Sequence, residues 1–459
     1  MKIRFWGGAG TVTGSKHLLT CDRQRLLLEC GLFQGHRDEA EYTNRNFPFK
    51  ARDVSFVVLS HAHIDHCGNL PNLVKRGFRG TVLMTPVTAA LTRILLLDSA
   101  RIQEADADYL NRKRRKQNEP LREPLYTETD VERSFDYFSA EGYARKHRLG
   151  KFTLWLHDAG HILGSALVDI EVDGRRILFT GDLGRPKVPI VRDPVLVSET
   201  DYLVMEATYG NRVHGSYADV ANRLAELINR VYQRGGRIII PAFAVERSQE
   251  VVYNLRCLRE AGSIPAMPVF VDSPLASRVT EVYRNNPQYY DDEALSVLDA
   301  GREPLDFPEL RYVETVEESK SLNDFTEPCI IISASGMCEA GRVLHHLKHA
   351  IGDPRNLVLL VSFQAQHTLG RRLQEGQPVV RIYGEEFERR CEVVTMDEFS
   401  AHADRNGLLG YVRQMNLNRL KKVFIVHAEP DAAGAMVEPL RELGVREVII
   451  PSVGDEYEL

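Results

Sequence analysis

Between residues 216 and 361 short runs of branched apolar residues alternate with amphipathic helices, and this alternation limits the fold more than any other feature of the chain. Ser216 is placed to cap a helix whose apolar stripe is Val220, Leu224, Leu227, Ile228 and Val231, and Gly235-Gly236 ends it. Residues 237–240 then read as a buried strand, followed by Pro241 and a second helix with Val251, Val252, Leu255 and Leu258. Residues 329–333, 357–361 and 423–426 are further buried runs. Strand–helix–strand units of this kind give a largely parallel sheet covered by helices. The first 180 residues differ. Residues 53–60 and 176–180 are again buried runs, but 16–20 and 25–29 suggest antiparallel or mixed strands.

Charge and hydropathy remove several classes of function. Lys and Arg number 58 and Asp and Glu 64, a net charge of −6. That argues against a protein that coats nucleic acid by bulk charge, though not against an enzyme with a local basic groove. A hydrophobic fraction of 43% is too high for a disordered chain. No apolar run nears the ~18 residues of a membrane span. The start, Met1-Lys2-Ile3-Arg4-Phe5-Trp6-Gly7-Gly8, lacks the apolar stretch of a signal peptide. The expected compartment is the cytoplasm, with no membrane partner. The seven cysteines form no C-x-x-C pair and read as small reduced core residues, not as a disulfide framework or a Cys-type zinc site. One run, Arg112-Lys113-Arg114-Arg115-Lys116, is either a solvated helix end or a basic rim for a polyanion.

His61-Ala62-His63-Ile64-Asp65-His66 follows directly on a predicted strand. Imidazole and carboxylate together suit zinc or a similar divalent ion. One short turn cannot wrap four side chains around a single tetrahedral ion. His61 and His63 can converge on one side and Asp65 and His66 on another, so the spacing suggests two adjacent metals. Further ligands must come from elsewhere. His161, in Gly160-His161-Ile162-Leu163-Gly164, is one candidate and His157 its competitor. Asp182, after the buried run ending at Thr180-Gly181, is a carboxylate that could bridge both ions.

The order H-x-H-x-D-H, then G-H, then G-D resembles that of the metallo-β-lactamase superfamily. Past Asp182 the chain resembles the β-CASP branch, the RNA- and DNA-processing nucleases. Within it, the chain is most similar to bacterial and archaeal relatives of the cleavage-and-polyadenylation endonuclease subunit. The motifs that carry this are Val204-Met205-Glu206-Ala207-Thr208-Tyr209-Gly210, Pro241-Ala242-Phe243-Ala244-Val245-Glu246-Arg247 and Val271-Asp272-Ser273-Pro274-Leu275-Ala276. They continue with Ser335-Gly336-Met337, Phe399-Ser400-Ala401-His402-Ala403-Asp404 and Val426-His427-Ala428-Glu429. The resemblance implies an αββα sandwich of the metallo-β-lactamase type, residues 1–210, completed by residues 399–459. Residues 211–398 would be an inserted parallel α/β β-CASP cassette, with the active site in the cleft between the two domains.

The same resemblance assigns roles. His61, His63 and His161 would hold one zinc, Asp65, His66 and His427 the other, and Asp182 would bridge the two. Glu206 would orient His402, a general acid, so that His402, Glu206 and Asp182 are the catalytic residues. Ser335, Gly336 and Met337 would approach the phosphate and Arg247 would clamp it. Three positions depart from the family pattern. Glu29 stands in Glu29-Cys30-Gly31 where an Asp usually supports the metal histidines, so its hydrogen bond must be re-aimed. His367 and Ala428 stand where Gly is usual. The implied activity is a metal-dependent ribonuclease in which a dinuclear-zinc hydroxide attacks the phosphodiester, endonucleolytic, with 5′–3′ exonuclease action open. Single-stranded RNA is the expected partner, and a homodimer is left open. The rivals are a thioester or lactam hydrolase on the same fold, a non-catalytic RNA-processing scaffold, and a DNA nuclease of the same branch. All seven ligands are kept, against the scaffold, and His427 is the RNA-type choice at the last motif.

Overall fold

The computed structural model describes residues 1–459, the side chains of Arg37 and Ala218 excepted. The chain divides into two units. The first comprises Met1–Pro186, Asp193–Val213 and His402–Leu459, and the second Lys187–Arg192 and His214–Ala401.

The first unit is built on two seven-stranded sheets. One runs Glu456–Glu458, Lys2–Gly7, Lys16–Cys21, Gln24–Leu28, Phe56–Val58, Thr81–Met84, Phe138–Ala140 in spatial order. It is antiparallel at the Lys2–Gly7 end and parallel from Gln24–Leu28 onward. The other runs Glu447–Ile449, Lys422–Val426, Tyr202–Glu206, Arg175–Phe179, Ala166–Val172, Phe152–Asp158, His147–Leu149. Alternate residues of both sheets, among them Ile3, Phe5, Leu26, Leu28, Leu154, Val168, Ile177, Phe179 and Phe424, form one buried layer between them. The opposite faces are covered by helices. Leu70, Leu73, Leu96 and Ala100 pack on Leu27, Val57 and Val82 of the first sheet. Leu408, Val412, Met436 and Leu440 pack on Leu203, Met205, Val423 and Ile425 of the second. This is an αββα sandwich.

The second unit holds a six-stranded sheet, Leu310–Tyr312, Val269–Val271, Ile330–Ser333, Ile238–Pro241, Leu357–Leu360, Glu392–Thr395, with every pair parallel. A hairpin, Val379–Ile382 with Glu385–Glu388, is added. Continuous Ile and Val runs are what a parallel sheet buried on both faces requires. All seven cysteines are free thiols. Among the described residues, no helix is long and apolar enough to cross a membrane.

Two local readings are corrected. The strand read at residues 53–60 is only Phe56–Val58, with a 3₁₀ turn at Ala51–Asp53 before it. The ladder stops because the Ser60 N–H donates to the Glu29 carboxylate at 2.7 Å instead of to a neighbouring strand. Ser216 does not cap the helix Val220–Gln233: a 3₁₀ turn, Tyr217–Asp219, intervenes and Asp219 is the N-cap.

Candidate metal centre

Five strands of the first unit deliver the candidate residues from their carboxyl ends. His61, His161 and Asp182 follow Phe56–Val58, Phe152–Asp158 and Arg175–Phe179 by a few residues, Glu206 ends Tyr202–Glu206, and His427 directly follows Lys422–Val426. Lys422–Val426 runs parallel to Tyr202–Glu206 with Glu206 opposite Val426. That register sets His427 next to the Glu206 motif although 220 residues separate Glu206 from Val426. His427 takes φ +47, a conformation most residues avoid, and its N–H donates to Gly8 O at 2.5 Å.

The donors fall into two nests that share Asp182. In the first, His63 Nδ1 lies 3.0 Å from His61 Nε2 and 3.3 Å from His161 Nε2. Asp182 Oδ2 completes it, 3.4 Å from His61 Nε2 and 3.5 Å from His161 Nε2. In the second, His427 Nε2 lies 3.2 Å from His66 Nε2 and 3.3 Å from Asp65 Oδ2. Asp182 Oδ1 faces this nest, 3.4 Å from His66 Nε2. One carboxylate thus turns an oxygen toward each group. His157 is elsewhere, on Phe152–Asp158, 3.4 Å from Asp169.

These donors fit metal ions better than they fit one another. A ring nitrogen can donate to another only if one carries the proton, so the three ring nitrogens of the first nest cannot all be satisfied mutually. Asp182 Oδ1 is buried and accepts no hydrogen bond. Ligands ~2.1 Å from a tetrahedral ion stand about 3.4 Å apart, the spacing seen in both nests. Burial and the crowd of imidazoles push His61 and His66 well below the usual histidine range, which keeps them in the neutral form a metal needs. Burial also lowers His427, but Asp182 and Asp65 outweigh it and hold it at about 10. Burial raises Asp182 to about 7 against the pull of His427 and His402. The protein places positive charge between these carboxylates where a cation would sit.

Behind the nests lies a layer of orienting groups. Glu29 Oε2 meets His66 Nδ1 at 3.2 Å while Oε1 takes the Ser60 N–H. The longer side chain reaches from a backbone at φ +65. Two glycines permit this packing. A Cβ on Gly31 would lie 1.6 Å from Asp65 O, and one on Gly181 would lie 2.4 Å from Ser60 Oγ. Two side chains in this layer carry no motif signal of their own. Ser60 Oγ meets His61 Nδ1 at 2.9 Å. Thr208 Oγ1 donates to Glu206 at 2.5 Å and meets His427 Nδ1 at 3.0 Å. Thr208 lies in the Glu206 motif, and that proximity was the available clue.

His402 stands beside the nests. Its Nδ1 lies 2.9 Å from Glu206 Oε1, and its Nε2 lies 3.9 Å from Asp182 Oδ2. Glu206 also accepts the Leu183 N–H at 2.7 Å. Burial lowers His402, but Glu206 and Asp182 more than compensate, so its affinity for a proton is raised. Burial works against ionisation of Glu206, but His402 and the hydrogen bonds hold it below the usual carboxylate range.

The second unit carries the remaining candidates. Gln364 Nε2 donates to Gly336 O at 2.9 Å and the Gly370 N–H to Met337 O at 3.1 Å, so the Ser335-Gly336-Met337 loop is tied to the loop bearing His367. His367 takes φ +68. Arg247, read as a phosphate clamp, lies paired with carboxylates. It is only 6% exposed, and its guanidinium lies 3.1 Å from Glu246 and against Glu250, so its charge is already spoken for within its own unit.

Comparison with known proteins agrees with this geometry. Family models match in succession: the metallo-beta-lactamase superfamily at residues 18–232, the Beta-Casp domain at 248–373, and a Zn-dependent metallo-hydrolase RNA specificity domain at 386–451. The chain belongs to the metallo-β-lactamase superfamily, in its β-CASP ribonuclease family, and is a metal-dependent hydrolase. It is 36% identical to Ribonuclease TTHA0252 of Thermus thermophilus over 455 residues, 99% of each chain. It is 29% identical to an RNase J-like protein of Methanocaldococcus jannaschii, covering 93% of this chain and 92% of that one. It is 30% identical to the transcription termination factor FttA of Methanosarcina mazei, covering 94% of this chain and 67% of that longer protein. A crystal structure of an Enterococcus faecalis protein of unknown function shares the fold over the whole chain, at a TM-score of 0.56 and 13% identity.

Proposed function

We propose that this protein is a zinc-dependent ribonuclease that cuts single-stranded RNA in the cytoplasm. The observation that supports this most is the placement of Asp182, one oxygen toward the His61–His63–His161 group and the other toward Asp65, His66 and His427. RNA is suggested by the relatives named as ribonucleases and by the RNA specificity domain that residues 386–451 match. When bound, two zinc ions supply an attacking water of lowered pKa and Lewis-acid stabilisation of the charge on the phosphate. His61, His63 and His161 would hold one ion and Asp65, His66 and His427 the other, with Asp182 available to both.

The chain's own groups account for the rest of the chemistry. Glu206 accepts from His402 Nδ1, which fixes the tautomer and leaves Nε2 facing the reaction centre. The Glu206 carboxylate raises the proton affinity of His402 and favours its protonated form, so Nε2 can deliver a proton to the departing ribose oxygen. Thr208 ties Glu206 to His427, so the proton donor and the second nest are held by one hydrogen-bonded chain. The test is cleavage of end-labelled RNA by protein of measured zinc content, with and without a chelator. Chelator-sensitive cutting with two zinc ions per chain is expected. Hydrolysis of a thioester or lactam but not of RNA would overturn the reading.

A further inference from the structure

The helix Pro86–Lys116 begins beside the metal centre and ends far from it. Its N-cap Thr85 and Thr88 both donate their hydroxyls to Gly164 O, at 2.6 and 2.9 Å, three residues beyond His161. At 1.5 Å per residue the helix carries its last turn about 40 Å from that loop. The helix ends on five consecutive basic residues, Arg112 to Lys116, four of them in its last turn. Arg114 is committed to Glu119 at 3.2 Å and to Pro120 O at 2.6 Å. Arg112, Lys113, Arg115 and Lys116 are exposed, and among the described residues none of the four forms an ion pair. The chain as a whole carries −6, so this positive charge is local.

One turn earlier, Tyr109 is 70% exposed with the Arg112 guanidinium 5.9 Å from its ring centre. The end is held in place: Asn111 Nδ2 donates to Arg122 O at 2.9 Å, and the Arg122 N–H donates to Asn111 Oδ1 at 2.8 Å. Exposed Asp106 and Asp108 precede it and confine the positive surface to the last two turns. An open aromatic ring beside unpaired cations, on an anchored backbone, is how single-stranded nucleic acid is held: a base stacks on the ring and phosphates meet the cations.

We propose that this helix end is a distal docking platform for single-stranded RNA, with Tyr109 stacking a base and Arg112, Lys113, Arg115 and Lys116 holding phosphates. The proposal rests on the reading of the chain as a ribonuclease. A stacked strand that engages both platform and metal centre covers about 40 Å in about twelve nucleotides at ~3.4 Å each, and an unstacked, extended strand needs roughly half as many. An RNA of about four nucleotides reaches only one of the two.

The zinc-loaded full chain and its R112Q/K113Q/R115Q/K116Q variant are compared on a 30-nucleotide and a 4-nucleotide RNA. For the 30-mer, Kd and KM should rise about 10- to 100-fold at low salt with kcat unchanged, and the slope of log K against log salt should fall by about 3, at ~0.7 per phosphate contact. The KM of the 4-mer, which reports the metal centre, should not move. Tyr109→Ala should weaken 30-mer binding about tenfold. This variant and K113Q/K116Q serve if the fourfold variant misfolds. Unchanged 30-mer affinity and salt slope would overturn the proposal, as would equal weakening for both lengths. So would poly-glutamate competing as well as RNA while Tyr109→Ala has no effect, which would make the patch a general polyanion surface. If the wild type cleaves neither RNA yet the variants lose 30-mer binding, the ribonuclease reading falls and the platform stands.

Discussion

Each unit contains a buried cluster of histidine and aspartate, and the two are arranged in opposite ways. In the second unit Asp272 receives Ser319 Oγ at 2.6 Å, Arg342 Nη1 at 2.6 Å and His346 Nε2 at 2.5 Å. Every donor there meets an acceptor, and the cluster is complete as it stands. In the first unit the ring nitrogens of His61, His63 and His161 crowd together, and Asp182 Oδ1 accepts nothing. What separates a structural network from a metal centre is whether the protein's own protons can satisfy it.

The contrast is most exposed at Asp182. Asp182→Ala should strip both zinc ions and lower RNA cleavage by about 10⁴-fold or more, since it removes a ligand from each nest. Metal analysis beside a cleavage assay checks this, and a variant that retains two zinc ions would refute the shared carboxylate. His402→Ala comes next, with kcat reduced roughly 10²- to 10⁴-fold and zinc content unchanged. The loss should shrink on a nitrophenyl phosphodiester, whose leaving group needs no proton. Glu206→Gln should give a milder form of the same defect. Equal losses on both substrates would assign His402 to phosphate binding. Glu29→Gln should weaken zinc binding 10- to 100-fold, most visibly at the nest containing His66. Competition with a chelator of known affinity measures it, and an unchanged affinity would reduce Glu29 to a packing role.

Asp272→Asn should have the smallest effect on activity. It should leave zinc content intact while lowering stability by about 3 kcal/mol, because Arg342 loses its counter-charge. Burial works against ionisation of Asp272, but its hydrogen bonds from His346, Ser319 and Arg342 hold it below the usual carboxylate range. Its folded pKa is therefore below the unfolded value of ~3.9. The stabilisation is full above that value and is lost as pH falls through the folded pKa. Denaturant melts of wild type and Asp272→Asn should accordingly converge in acid. A gap that persists there would deny the carboxylate its charged role.

Much of this could be read from the sequence, for physical reasons. Parallel buried strands are continuous apolar runs, so the second unit's sheet announces itself. The His61–His66 segment is dense in ligand chemistry and sits at a strand end. Ser60 and Thr208 escaped because hydroxyl residues are common and their role depends on which imidazole lies opposite. For Arg247, read as a phosphate clamp, local sequence does not show that Glu246 and Glu250 turn inward with it. The shortened strand at Phe56–Val58 depended on Glu29, 31 residues away from Ser60, taking a backbone N–H.

The register of Lys422–Val426 against Tyr202–Glu206 also imposes an order in time. His61, His63, His161 and Asp182 have all been made by residue 182, whereas His402 and His427 arrive only after the whole second unit. At 5–20 residues per second, the 220 residues between Glu206 and Val426 take roughly 10–40 s to synthesise. Over that interval Tyr202–Glu206 is an open edge awaiting its neighbour, and the second nest lacks its third ligand. The nascent chain therefore passes through a stage at which it holds every residue of the first nest yet has neither His402 nor the last residue of the second. Completion of the candidate site is a late event in its biosynthesis, fixed by where along the gene Lys422–Val426 and His427 are encoded.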